Sequence, residues 1–181
     1  MSKILILNGS PREKGNTEGL IKAFTRGAEE SGNTVTEFFL SRMNIRSCLG
    51  CYGGGKNADS PCVQKDDMQK IYPVYKQADV VVLASPLYYW NISGQLKTTF
   101  DRLFAVAECD AGYNNPKKQA VLLMAAEGDE FEAAEYWYDR LIEHLQWQSL
   151  GKVLCGGVLN VGDIAGKKQL TDAENLGKSI K

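Results

Sequence analysis

The chain has no apolar run near the roughly 20 residues needed to span a bilayer. Its first strand-like stretch, Lys3-Ile4-Leu5-Ile6-Leu7, is too short for a secretory leader and passes straight into a polar loop. Charge of one sign is also missing: 21 Lys and Arg against 22 Asp and Glu leave a formal net charge of −1. That balance argues against nucleic acid or a membrane surface as the main partner. The even cysteine framework of a secreted miniprotein is absent, since the five cysteines are odd in number and unevenly spaced. Reduced thiols in a cytoplasmic protein are the expectation. There are no internal repeats, low-complexity tracts or linkers, so residues 1–181 should form one domain.

What is present is a 44% hydrophobic chain in which apolar runs alternate with amphipathic stretches. Lys3–Asn8 shows no polar alternation and reads as a strand covered on both faces. A helix is predicted over about Asn16–Ser31, a strand over Thr34–Leu40, and a Cys- and Gly-rich insertion over 41–65. Asp66 should cap a helix reaching Gln77, with Pro73 inside it. Asp79–Ser85 is a second unbroken apolar strand. Ser93 opens a helix burying Leu96, Phe100, Leu103, Phe104 and Ala107. A strand over Gln119–Ala126, a long helix over Asp129–Ser149, a strand over Lys152–Val161 and a short helix from about Thr171 complete the chain. Five strands alternating with helices predict a doubly wound five-stranded parallel sheet with helices on both faces. Ligands of such sheets bind beyond the carboxyl ends of the strands, which singles out the loops Gly9–Thr17, Pro86–Ile92 and Ala126–Asp129.

The first loop gathers Ser10, Arg12, Lys14, Asn16 and Thr17, all donors, at a helix N-terminus. It lacks the dinucleotide fingerprint, because Pro11 breaks G-x-G-x-x-G at its third position. It also lacks the triphosphate loop, because Asn16 stands where the lysine belongs. Two hydroxyls, an amide and an arginine without a metal ligand suit a phosphate monoester that is bound and not cleaved. A donor-rich turn ending in an Asn cap would explain Asn16 and Thr17 but not the whole cluster. A phosphatase loop would need a cysteine here, and a receiver domain would need acids where Asn8 and Ser85 stand.

The second loop narrows the ligand. Pro86-Leu87-Tyr88-Tyr89-Trp90-Asn91 places three consecutive aromatics at a strand end, a stacking wall for a flat ring. The same aromatics could instead pack in a subunit interface or under the loop. Pro86 fixes the turn and leaves backbone N–H groups free to meet ring acceptors and stabilise charge on a reduced ring. A phosphate pocket beside an aromatic wall fits a mononucleotide such as FMN.

The motifs Gly9-Ser10-Pro11-Arg12 with Gly15-Asn16-Thr17, and Ser85-Pro86-Leu87-Tyr88-Tyr89-Trp90 with Ser93-Gly94-Gln95-Leu96-Lys97 and Asp101-Arg102, resemble those of the flavodoxin-like NAD(P)H-dependent FMN reductases. The resemblance weakens after about residue 150. It implies that Ser10, Arg12, Asn16 and Thr17 hold the FMN phosphate. Pro86, Leu87, Tyr88, Tyr89, Trp90 and Asn91 would line the ring, and Ala126, Glu127 and Gly128 would form a third loop. It further implies a homodimer or higher homo-oligomer with the site at the interface. The insertion Cys48-Leu49-Gly50-Cys51, then Cys62, is similar to the iron–sulfur flavoprotein branch, which places four cysteines in a compact run. Gly54 stands where the third is expected, so the motif is incomplete, and no metal site is assigned. A zinc site with Asp59 as fourth ligand, a Cys48–Cys51 redox pair and a loop of free thiols remain alternatives.

His144, the only histidine, forms with Trp137 and Trp147 a stripe expected at a surface or interface. No acid–base pair stands out, and no catalytic side chain is assigned. The expected activity is an FMN-dependent oxidoreductase, with NAD(P)H as co-substrate and a quinone, flavin, nitro or azo compound, or protein as acceptor. The alternative is a flavodoxin-type carrier that binds FMN without reacting with NAD(P)H. Carriers of this fold tend to be strongly acidic, which this chain is not.

Overall fold

The structure, a computed structural model, describes all 181 residues. Its five strands are β1 (Lys3–Asn8), β2 (Thr34–Phe39), β3 (Val80–Pro86), β4 (Gln119–Ala125) and β5 (Gln148–Cys155). They form one all-parallel sheet in the order β2-β1-β3-β4-β5. This is the expected flavodoxin-like α/β arrangement. The helices are α1 (Asn16–Glu30), α2 (Met68–Gln77), α3 (Gly94–Arg102), α4 (Phe104–Ala107), α5 (Glu132–Leu145) and α6 (Lys168–Lys178).

The unbroken apolar strands are explained by the two cores they separate. Side chains alternate across a strand, so Ile4 and Ile6 of β1 enter one core while Leu5 and Leu7 enter the other. Val80 and Val82 divide from Val81 and Leu83 in the same way, as Val121 and Leu123 do from Ala120 and Leu122. The first core is closed by α1 and α6, through Leu20, Phe24 and Ala173, with Ile180 just beyond α6; the second by α2, α3 and α5, through Ile71, Leu96 and Tyr138. Each fully buried Leu, Ile or Val contributes on the order of 2 kcal/mol. The α1–α6 contact is close: a side chain at Gly27 or Gly177 would run into the facing helix backbone.

Three expected boundaries are corrected. The long helix stops at Leu145, because Gln146 turns left-handed (φ 53°) and sends Trp147 into the core beside Tyr75 and Phe100. Trp147 is therefore 6% exposed, and its Nε1 donates to the Pro116 carbonyl at 2.9 Å, so it is no part of a surface stripe with the exposed His144. β5 accordingly starts at Gln148 and ends at Cys155, leaving 156–161 as loop. The helix after Ser93 breaks at Leu103, and Phe104, expected in the core, is 40% exposed against Tyr52 and Tyr113.

Candidate functional site

The switch in strand order lies between β1 and β3, and the loops leaving them bound a crevice. Buried Asn8 builds the first wall. Its Oδ1 accepts the Ser10 N–H at 3.0 Å, while Nδ2 donates to Glu18 and Glu37 at 3.0 and 2.7 Å. Burial first, then the nearby Glu37, push the Glu18 carboxyl up. The Gly9 N–H donates to the Ala84 carbonyl and the Gly9 carbonyl accepts from Ser93 Oγ, each at 2.8 Å. Those bonds fix the loop against β3 and the start of α3.

The loop then delivers Gly15 to the start of α1 with no side-chain cap. The N–H groups of Asn16, Thr17 and Glu18 have no acceptor within the chain. They are joined by the Ser10 and Thr17 side chains, which are nearly buried, and by the exposed Arg12. Free first-turn donors and a guanidinium make a site for a dianion.

The second wall is a two-residue turn. Tyr88 and Asn91 exchange N–H to carbonyl bonds of 2.9 and 3.1 Å, with Tyr89 (φ 47°) and Trp90 (φ 60°) both left-handed between them. This is the type I′ geometry that glycine or asparagine ordinarily supplies, and each non-glycine residue there costs on the order of 1 kcal/mol. The turn sends both side chains outward: Tyr89 is 95% exposed and Trp90 57%. Their N–H groups remain without acceptors.

The cavity between the walls has a volume of about 270 Å³. Ser10, Arg12, Asn16, Thr17, Pro86, Leu87, Tyr88, Ala126 and Glu127 line it. Tyr89, Trp90, Asn91 and Gly128 do not, so the aromatic wall expected from three residues consists of Tyr88 alone. Val158 and Leu159, which the expected strand to Val161 concealed, line it too, with Gly15 and Ala125. Their loop is tethered to the first wall. Arg12 Nη1 donates to the Leu159 carbonyl at 3.0 Å; Asn16 Nδ2 donates to the Asn160 carbonyl at 2.9 Å, and Asn16 Oδ1 accepts the Ile164 N–H at 3.2 Å. The Asn16 side chain is thus committed, and its offer to a ligand is its backbone N–H. Donors for a phosphate at one end and a proline–tyrosine surface at the other fit FMN.

Residues 2–155 match the model of the family described as NADPH-dependent FMN reductase. An iron-sulfur flavoprotein of Archaeoglobus fulgidus is 31% identical over 172 residues, covering 95% of this chain and 76% of its own length. One from Methanosarcina thermophila is 38% identical over 100 residues, 55% of this chain and 51% of its own, so the chain spans only about half of that relative. Among solved structures, the NAD(P)H:quinone oxidoreductase from Methanothermobacter marburgensis shares the fold at a TM-score of 0.74 and 24% identity, covering 98% of this chain and 94% of its own. The family match over most of the chain agrees with the crevice its residues build, and the chain belongs to the NADPH-dependent FMN reductase family, enzymes whose cofactor is FMN.

Proposed function

We propose that the protein is an NAD(P)H oxidoreductase whose bound FMN passes electrons to a small-molecule acceptor of the quinone, flavin, nitro or azo class. The observation that carries this reading is the set of unpartnered first-turn N–H groups beside Ser10, Arg12 and Thr17, opening onto the cavity that Pro86, Leu87 and Tyr88 wall. Bound there, FMN would supply the redox chemistry that links a nicotinamide hydride donor to a two-electron, proton-taking acceptor. The protein binds, orients and polarises. The α1 N–H groups, Ser10, Thr17 and Arg12 hold the phosphate. Pro86, Leu87 and Tyr88 position the ring, with the free N–H groups of Tyr89 and Trp90 and the Ala126–Gly128 loop at its edge.

The protruding side chains of Tyr89 and Trp90 support a homodimer that covers them. Five unpaired cysteines support a reducing, cytoplasmic setting. No helix is long and apolar enough to cross a membrane.

Anaerobic stopped-flow mixing of the FMN-loaded protein with NADPH or NADH tests the reading. Saturable bleaching of the flavin is expected. A flavin that dithionite bleaches but neither nucleotide does would replace the reductase with an electron carrier.

A further inference from the structure

A second cavity, of about 410 Å³, lies beside the cysteine insertion and is lined by Cys48, Cys51, Cys62, Tyr52, Phe104 and Glu108 among others. The relatives named iron-sulfur flavoproteins raise the question whether these thiols hold a cluster. A four-iron cluster takes four thiolates. This insertion supplies three, in the spacing Cys48-x₂-Cys51-x₂-Gly54-x₇-Cys62.

Position 54 is not a gap. The Gly54 N–H donates to Glu108 Oε1 at 3.3 Å. A Cβ built on Gly54 would overlap Glu108 Oε2 and lie 2.9 Å from the Pro61 carbonyl oxygen. Gly55 follows at φ 74°, where a Cβ would run into the Glu108 backbone carbonyl. Two glycines thus press the loop onto the end of α4, and a carboxylate fills the space a third thiolate side chain would need. No three His, Cys, Asp or Glu side chains converge in a geometry that could hold a metal ion.

Protein contacts brace the loop instead. The Gly55 N–H donates to the Pro61 carbonyl at 2.8 Å and Gln64 Nε2 to the Ser47 carbonyl at 2.9 Å. Arg102 Nη1 donates to the Arg46 carbonyl and to Asp66, both at 2.7 Å.

We propose that this insertion is a metal-free counterpart of a cluster site. The Glu108 carboxylate occupies the place of the third thiolate and ties the loop down, so flavin is the only redox cofactor the chain holds. This inference stands whether NAD(P)H or another donor reduces the flavin.

The test is anaerobic reconstitution with ferrous iron and sulfide, followed by gel filtration, iron assay and electron paramagnetic resonance of the dithionite-reduced protein. Wild type should keep its flavin bands and retain no iron. A Gly54→Cys, Glu108→Ala double variant that still binds FMN should gain a broad brown absorbance and about four irons per chain. Glu108→Ala alone, with three thiols, should gain neither. Iron retained by wild type with a cluster resonance overturns the proposal, as does a folded double variant that takes up none. A wild-type measurement stands independently of the variants. Alkylation of Cys48, Cys51 and Cys62 in freshly purified anaerobic protein should run at one rate with and without a chelator. Thiols that react only after chelation would show a resident metal and overturn it.

Discussion

Arg102 and Asp66 meet as a buried two-pronged ion pair, with Nη1 2.7 Å from Oδ2, Nη2 3.2 Å from Oδ1, and both side chains 1% exposed. The pair joins the end of α3 to the last turn before α2, and through the Arg46 carbonyl it reaches the start of the cysteine insertion. Burial alone would raise the Asp66 carboxyl, but donors from Arg102, Arg46 and Met68 outweigh it and hold the group below its usual range. A lowered folded-state value means stability that is present above the unfolded pKa near 3.9 and is lost as pH falls further. Asp66→Asn should therefore cost about 3–5 kcal/mol at pH 7, since it strands a buried guanidinium. Urea titrations at pH 7 and at about pH 2.5, below the unfolded carboxylate pKa, should show the variant losing less on acidification than wild type.

Arg12→Ala should weaken flavin retention by about 10-fold, the value of one charge-assisted contact. It also removes the bond to the Leu159 carbonyl, but Arg12 is exposed, so flavin-free stability should change by less than about 1 kcal/mol. Fluorescence titration with FMN measures the first effect. An unchanged dissociation constant would count against Arg12 as a phosphate ligand.

Gly9→Ala should disrupt the site more than any exposed change. Its Cβ would stand 2.5 Å from Ser93 Oγ and 2.8 Å from Leu96 Cβ, both held in the core. Overpacking of this kind costs about 1–3 kcal/mol and would push the loop off β3. Gly94→Ala, with nothing within 4 Å of the new methyl, is the matched control and should leave melting temperature and flavin content close to wild type.

Lys118 is 6% exposed, with Nζ 2.6 Å from the Ala78 carbonyl and 4.8 Å from the Tyr75 ring centre. Burial pushes its pKa down to about 8, against a smaller raising effect from Asp79. Between pH 8 and about 10 this lysine binds more protons in the unfolded chain than in the folded one, so its contribution to stability should rise with pH, by on the order of 2 kcal/mol, against a smaller opposing effect from buried Cys155. Lys118→Met should abolish that rise. Near pH 10 the trend should reverse, because burial holds Tyr72 and Tyr75 above the usual phenol range and the unfolded phenols ionise first. Chemical denaturation across this range checks both limbs.

The parts of the molecule legible in the sequence are those where one physical cause acts locally. β1, β3 and β4 are covered on both faces, so their residues are apolar without alternation and could be read directly. The first loop could be singled out because donors clustered at a helix start suit an anion, and in the fold Ser10, Arg12, Asn16 and Thr17 do line one cavity. The end of α5 was not legible, since no glycine or proline marks a stop before Gly151 and only contacts with Tyr75 and Phe100 draw Trp147 away. Nor was the direction of Tyr89 and Trp90, because nothing in those residue types announces a left-handed turn. Asn16 was read as one of the phosphate-holding residues, while its side-chain partners lie 144 and 148 residues further along.

The strand order has one consequence for how the enzyme can change. Because the chain leaves β1 toward one edge of the sheet and β3 toward the other, the crevice is a by-product of winding and needs no hole in either core. Its walls are loop residues together with the ends of elements, Pro86 of β3, Ala125 of β4 and the first turn of α1, while the strand residues behind them are sealed in. Site shape and folding stability are therefore partly separable here: exchanging the exposed 88–91 turn should alter the crevice at little thermodynamic cost, whereas Gly9 and Asn8, where loop and sheet join, and Val158, buried in the core, belong to both.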